Sequence, residues 1–189
     1  MRKSQRKQMI RLLLRLLPHR ALRRFGRAQS GAAALEFGLV AVPFLALTFA
    51  IMETALVFFS GQTLEAAAAA SARLIMTGQA QTSGFSATAF KQAVCNQIFG
   101  LFDCANGVTV DVKSYTSFAA INMTPPVTNG QLDTTNVAYT PGGPGDIVVV
   151  TLYYQWPIYV TLLGDKLDNL NGGNRLLVAT NVFRNEPYQ

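Results

Sequence analysis

From Phe37 to Phe59 the chain reads FGLVAVPFLALTFAIMETALVFF, twenty-three residues with a single charge at Glu53. At about 1.5 Å of rise per residue, a helix of that length crosses a hydrocarbon core about 30 Å thick. No compact soluble fold of modest size easily hides so much uninterrupted apolar surface, so the segment predicts a membrane-spanning helix. The 189-residue chain then has room for one small domain beside that helix, and hardly for two. A secretory signal carries an apolar region of only about 7 to 15 residues. The span therefore reads as a lasting anchor, even though AAAAASA further on offers small residues of the kind signal peptidases accept.

The formal net charge of +6 conceals a strong asymmetry. Ten of the sixteen Lys and Arg lie in residues 1–30, where there is no Asp or Glu, and the remainder carries six basic against ten acidic side chains. Nucleic-acid binding needs basic residues on a folded surface with aromatic interleaving; here the positive charge stops where the apolar stretch begins. Such a pattern orients a membrane protein with its basic end in the cytoplasm. A mitochondrial presequence is the alternative for this Arg-rich, acid-free leader with its amphipathic MIRLLLRLL, but the spanning segment follows at once and positive-inside orientation accounts for the same residues.

Beyond the span, GQTLEAAAAASARLIMTGQ has no proline and is rich in strong helix formers, so one helix is expected from Ala32 to about Thr77. Its outer third would project past the bilayer, and Pro43 removes one backbone hydrogen bond and should kink it inside the membrane. After a break at GQAQTSG, Phe90, Val94, Ile98 and Leu101 recur at helical spacing behind Ser86, a candidate cap. The period then changes to two: Val108, Val110 and Val112 alternate with Thr109, Asp111 and Lys113 as in a half-buried strand. DIVVVTLYYQWPIYV predicts a longer, more fully buried strand that Pro157 bends or ends, and RLLVATNVFRN a third. TPPVTNGQLDTTN and YTPGGPGD read as surface loops. The expected architecture is α+β: a long N-terminal transmembrane helix extending outward, then a short helix and an antiparallel sheet of about three strands. Too small to close into a barrel, that sheet must lay its apolar face on the extended helix. The corresponding division is 1–31, a basic cytoplasmic leader; 32–79, the membrane and extended helix; and 80–189, an extracytoplasmic domain.

Candidates for chemistry are few. The single histidine, His19, lies in the leader, which leaves the outer domain without an imidazole for a hydrolase triad or a zinc site, and no phosphate-binding glycine motif occurs. Asp165 and Asp168 in LLGDKLDNLNGGN suggest a calcium loop, but Leu170 breaks the EF-hand pattern and a polar hairpin turn suits the segment better. No enzyme activity, cofactor, metal or small-molecule substrate is expected. Cys95 and Cys104, the only cysteines, lie beyond the span. Their even count and close spacing in an oxidising compartment favour a disulfide tying the short helix to the first strand, over two buried thiols. Tyr153, Tyr154 and Trp156 are expected as core or edge aromatics rather than as an interaction surface.

Glu36 remains to be explained. A charged residue costs about 2.5 to 3.5 kcal/mol at mid-bilayer and less near its edge, a penalty that Leu or Gln would avoid. Its presence one turn past Gly31 suggests a partner. The stretch GAAALEF resembles the processing site of type IV pilin-like proteins, in particular the Flp/Tad (tight adherence) branch. There a prepilin peptidase cuts after Gly, and Glu is fifth in the mature chain, followed by Tyr or Phe. Pro43 and Glu53 in the span, ARLIMTGQA, the cysteine pair, PGDIVVVTLYYQWP and the terminal FRNEP extend the resemblance over nearly the whole chain to the TadE-like pseudopilins of that system. Phe37 stands where the major pilin has Tyr.

The resemblance implies cleavage between Gly31 and Ala32, loss of all ten leader charges, and a new ammonium on Ala32 that pairs with Glu36 of a neighbouring subunit. Small residues Ala32 to Ala34, Gly38 and Ala41, and the alanines at 66 to 70, would let helices approach closely. Glu53, about 25 Å further along the helix, would bind a partner helix, be protonated, or lie near the outer interface. The implied protein is a single-pass subunit of the bacterial inner membrane with its N-terminus in the cytoplasm and its C-terminal domain in the periplasm. Its implied partners are the prepilin peptidase, other Tad pilins and pseudopilins, and the assembly platform. The rival reading is an uncleaved anchor that displays a periplasmic binding or adhesion module.

Overall fold

The computed structural model describes residues 29–98, 100, 102–160 and 167–188. The leader with His19, and also Leu101 and Asp165, lie outside the described residues. Contacts divide the chain into two units, Met1–Thr48 and Phe49–Gln189.

Helix α1, Gln29–Met76, is assigned without interruption through Pro43. It contains the one candidate membrane span among the described residues, with a mean hydropathy of 2.1. Within the first unit its large side chains, including Leu35, Phe37, Val42, Phe44 and Leu47, are all exposed. The few hydroxyls in the apolar run spend their donors on the helix itself: Thr48 Oγ1 donates to the Phe44 carbonyl and Thr54 Oγ1 to that of Ala50, both at 2.8 Å. Hydrocarbon, which offers no alternative acceptor, requires this.

The second unit contains the remaining 28 residues of α1 (49–76) and the domain built on it. Gly78, at φ 75°, ends the helix, and the ring of Tyr188 lies where a side chain at that position would stand. A four-residue turn of helix α2 (Gln79–Thr82) follows, which the sequence did not announce. Helix α3 (Ala87–Cys95) starts on Ser86, whose Oγ accepts from the Ala89 amide at 3.2 Å, and buries Phe90 and Val94. Cys95 is joined to Cys104, with Cα atoms 5.5 Å apart, at the start of the short helix α4 (Cys104–Gly107). The disulfide therefore ties α3 to the entry of β1 (Val108–Tyr115), as the cysteine spacing suggested.

Strand β4 (Ile147–Pro157) lies between β1 and β5 (Asn174–Arg184), antiparallel to both. Its first seven residues are all buried, and Pro157 ends it. That is the behaviour of a central strand covered on both faces, and it explains the near-continuous apolar run IVVVTLYY. One face carries Val108, Val112, Val148, Val150 and Leu152 into a common core with Leu64, Ala67, Ala68, Ala72 and Ile75 of α1 and Phe90 and Val94 of α3. Tyr154 and Trp156 close its end against Phe102, their rings 4.4 and 6.4 Å from it. The other face is covered by loops, with Tyr153, Leu170, Leu176 and Leu132 in a smaller cluster.

Asp111 departs from the expected alternation: it is buried. Its Oδ1 accepts from the Ala138 amide at 2.8 Å and its Oδ2 receives Lys113 Nζ at 2.7 Å. It thereby fastens the 137–140 segment along the outer edge of β1, where Tyr139 bridges to Val112. The loop TPPVTNGQLDTTN also holds a two-stranded ribbon, β2 (Val127–Thr128) with β3 (Gln131–Leu132), turning at Asn129–Gly130. In the second glycine-rich loop, Asn185 Nδ2 donates to the carbonyls of Pro141 and Gly143, at 3.0 and 2.9 Å. The terminal FRNEP and the PGGPGD loop, far apart in sequence, are thus one structural unit.

Candidate assembly site in the helix

The residues singled out for processing and pairing lie on one stretch of α1. Ala32 and Glu36 are four residues apart, which places them on the same face one turn from each other. Gly31, Ala32, Glu36 and Phe37 are all exposed, Phe37 with 75% of its surface free. A Cβ built on Gly31 or Gly38 would meet nothing within 4 Å, and neither glycine has positive φ. Neither glycine is needed for packing or backbone geometry within the chain. Gly31 nevertheless lowers the local helix stability by about 1 kcal/mol relative to Ala. Among the described residues Glu36 has no hydrogen-bond or ion-pair partner; the one ion pair there is Lys113 with Asp111.

Glu53 is placed quite differently. It is only 7% exposed, and its carboxylate accepts the backbone amide of Tyr159 at 2.6 Å through Oε1 and that of Val160 at 2.9 Å through Oε2. Both carboxyl oxygens are thereby satisfied without water. The segment that follows β4 thus finds its hydrogen bonds on the helix rather than on another strand. No local pattern in the sequence announces this pairing across 106 and 107 residues; the sole clue was an acidic residue in an apolar run.

The small residues divide as well. Ala67 and Ala68 are consumed by contact with the chain's own sheet, while Ala66, Ala69 and Ala70 remain exposed. Ser71, 1% exposed, points its Oγ into this contact with no protein partner, which fits a position selected for size rather than bonding.

Nothing gathers into a catalytic centre among the described residues. No group of three His, Cys, Asp or Glu side chains forms a metal site there. Asp168 precedes a tight turn in which the amides of Asn169 and Leu170 both donate to the Asn174 carbonyl, and Asn169 Oδ1 accepts from Leu176. This is the polar hairpin reading of that loop. A polar cleft of about 400 Å³ beside β1, bordered by Asp111, Lys113, Tyr115 and Tyr153, holds its one buried carboxylate in structural bonds. Burial raises the Tyr153 phenol above its ordinary pKa, with the Asp111 charge adding to the effect, so it stays protonated at neutral pH.

No curated protein and no solved structure matches the chain. A family model does match, over residues 31–73, which include Gly31, Glu36, Glu53 and most of α1, though well under half of the chain. That model is described as TadE-like protein, a family of structural components of the Tad pilus, and at the level of the family the match supports a Tad-pilus-associated pseudopilin anchored by one apolar helix.

Proposed function

We propose that this chain is a minor pilin-like subunit of a Tad/Flp pilus assembly, made as a precursor in the bacterial inner membrane and processed by prepilin peptidase after Gly31. The observation that carries the reading is the pair formed by Gly31 and Glu36. The glycine has no packing role in its own chain, and the carboxylate is exposed one turn later on an otherwise apolar helix. A glycine at the cleavage point favours local unwinding, which a peptidase needs in order to reach a helical peptide bond. Cutting there removes all ten leader charges and creates an ammonium on Ala32. In a low-dielectric environment, pairing that ammonium with Glu36 of an adjacent subunit is strongly preferred to leaving either charge alone.

The leader thus has two roles. It orients the precursor with residues 1–31 in the cytoplasm, and it blocks pairing until it is removed. Residues 32–79 are the assembly helix, and residues 80–189 are displayed in the periplasm. Two independent features support this orientation: an excess of positive charge on the N-terminal side, with ten Lys and Arg and no acid in residues 1–30, and the Cys95–Cys104 disulfide on the other, which suits an oxidising compartment. The role is assembly rather than catalysis, through contacts with other pilins and the inner-membrane platform.

Coexpression of the full chain with a prepilin peptidase is expected to release the 31-residue leader, leaving Ala32 as the first residue by N-terminal sequencing. Gly31→Leu should stay full length, whereas Glu36→Leu should be processed but fail to enter the assembly. Recovery of an intact Met1 from the working form would overturn the processing step, and normal assembly of Glu36→Leu would overturn the pairing.

A further inference from the structure

Glu53 lies within the apolar run, yet its carboxylate is occupied by a segment from the far end of β4. Ile158 is in the core and its amide donates to the Gly173 carbonyl at 2.9 Å; Tyr159 and Val160 donate to Glu53. With its backbone fixed at three successive residues, Tyr159 nonetheless leaves 80% of its surface exposed, the highest value among the exposed large hydrophobic residues. Further out on α1, at positions 58 and 59, Phe58 and Phe59 are exposed by 70% and 60%.

These positions set a depth. Five to six residues of helix correspond to about 8 to 9 Å along the axis, so the level of Glu53 lies inward of Phe58 and Phe59. Any bilayer that covers those two rings also reaches Tyr159. Counting back from Glu53, the roughly 20 residues needed to cross the hydrocarbon end at Ala33, beside the Gly31–Glu36 stretch. Tyrosine, with an apolar ring and a hydroxyl at its tip, is the residue type enriched at this boundary.

We infer that Ile158–Val160 is a second membrane contact of the domain, in which Tyr159 inserts at the outer lipid interface and Glu53 fastens the segment to the helix. The lipid partner is the headgroup and upper acyl region of the leaflet facing the domain. Glu53 is a positioning residue here: its two carboxyl oxygens accept the two N–H groups that a strand end would otherwise present unpaired to lipid, which hydrocarbon strongly disfavours. The inference rests on membrane anchoring by α1, and not on processing or pilus assembly.

The test uses the full chain in phosphatidylcholine vesicles whose acyl chains are brominated, with tryptophan emission as the readout. In a Trp156→Phe background, tryptophan is placed singly at Phe44 in the span, at Tyr159, and at Phe118. Phe118 is exposed and follows β1 at the end of the sheet opposite Pro157. Tryptophan at 44 and at 159 should be quenched and that at 118 should not. Quenching at 44 with none at 159 beyond the level at 118 overturns the inference and leaves the anchor standing; no quenching at 44 overturns both. A blue-shifted emission at 159 that bromolipid does not quench assigns the segment to a second protein copy and also overturns it. Glu53→Gln, which loses one of the two carboxylate acceptors, should reduce quenching at 159 while leaving that at 44 unchanged. Equal quenching at 159 with and without the substitution overturns the fastening role.

Discussion

The two halves of α1 share one backbone geometry and face two different surroundings. From Gly31 to Thr48 no side chain of the helix is buried, although most are apolar. From Glu53 onward burial falls on Glu53, Val57, Ser60, Leu64, Ala67, Ser71 and Ile75, steps of three or four residues that trace one stripe. The first half is apolar all round, as lipid demands. The second is apolar along the stripe that meets the sheet, with Gln62, Glu65 and Arg73 exposed elsewhere on its surface. The change occurs at Glu53, within the apolar run rather than at its end. From Glu53 to Met76 the helix covers about 35 Å, close to the length of the eleven-residue β4. It is bonded to the domain at both ends of that distance, through Glu53 to Tyr159 and Val160 and through the Met76 carbonyl to the Glu186 amide at 2.8 Å.

The widest separation between the halves should come from one substitution made in each. Leu64 is completely buried in the shared core, whereas Leu47 is 53% exposed. Leu64→Ala should destabilise the C-terminal domain by about 2 to 5 kcal/mol, the usual cost of removing a buried leucine side chain together with the cavity left behind. Leu47→Ala should leave it unchanged. Denaturant unfolding in detergent micelles, followed by near-ultraviolet circular dichroism, reads both. Equal losses would mean that the two halves are not energetically distinct.

Next in size is the disulfide. Closing a loop of about ten residues restricts the unfolded chain by about 2.5 to 3 kcal/mol in the chain-entropy account. A double Cys95→Ser, Cys104→Ser variant should lose that much in the same unfolding assay. The helicity contributed by the membrane half, measured in the far ultraviolet, should persist. Loss of both signals together would break the comparison, because it would make the anchor dependent on the C-terminal fold.

How far these features were legible differs between the halves for a physical reason. The membrane half obeys a composition rule, and the central strand β4 announces itself by its unbroken apolar run, because lipid and a doubly covered sheet each impose one requirement on every residue. Ser86 and the cysteine pair were legible from local spacing. Asp111 was not, because its burial depends on the Ala138 amide, which arrives from a loop 27 residues away. The Asn129–Gly130 turn carried the dipeptide typical of hairpins. Its flanks, Val127–Thr128 and Gln131–Leu132, are too short to show a strand period. Glu53 combines both difficulties: a conspicuous residue whose partners are backbone amides, which have no signature in the sequence at all.

The smallest expected effect is an acid response of the C-terminal domain. Asp103 caps α4 beside the disulfide: its Oδ2 receives the Asn106 side chain at 2.7 Å and its Oδ1 the Asn106 amide at 3.2 Å. Those bonds favour the ionised form and hold its carboxyl below the ordinary Asp value, and Thr135 does the same for Asp133. A carboxyl whose folded pKa is depressed contributes its stability in full above the unfolded value and loses it as pH falls through the folded one. The C-terminal domain should therefore loosen slightly as pH drops below about 4. Asp103 is exposed and Asp133 only partly covered at the surface, so solvent screening keeps the effect small. Asp103→Asn preserves the shape of the cap and removes the titration. It should flatten part of the pH dependence of the unfolding midpoint between about pH 5 and 2, and an unaltered slope would show that the cap is not a source of the acid sensitivity.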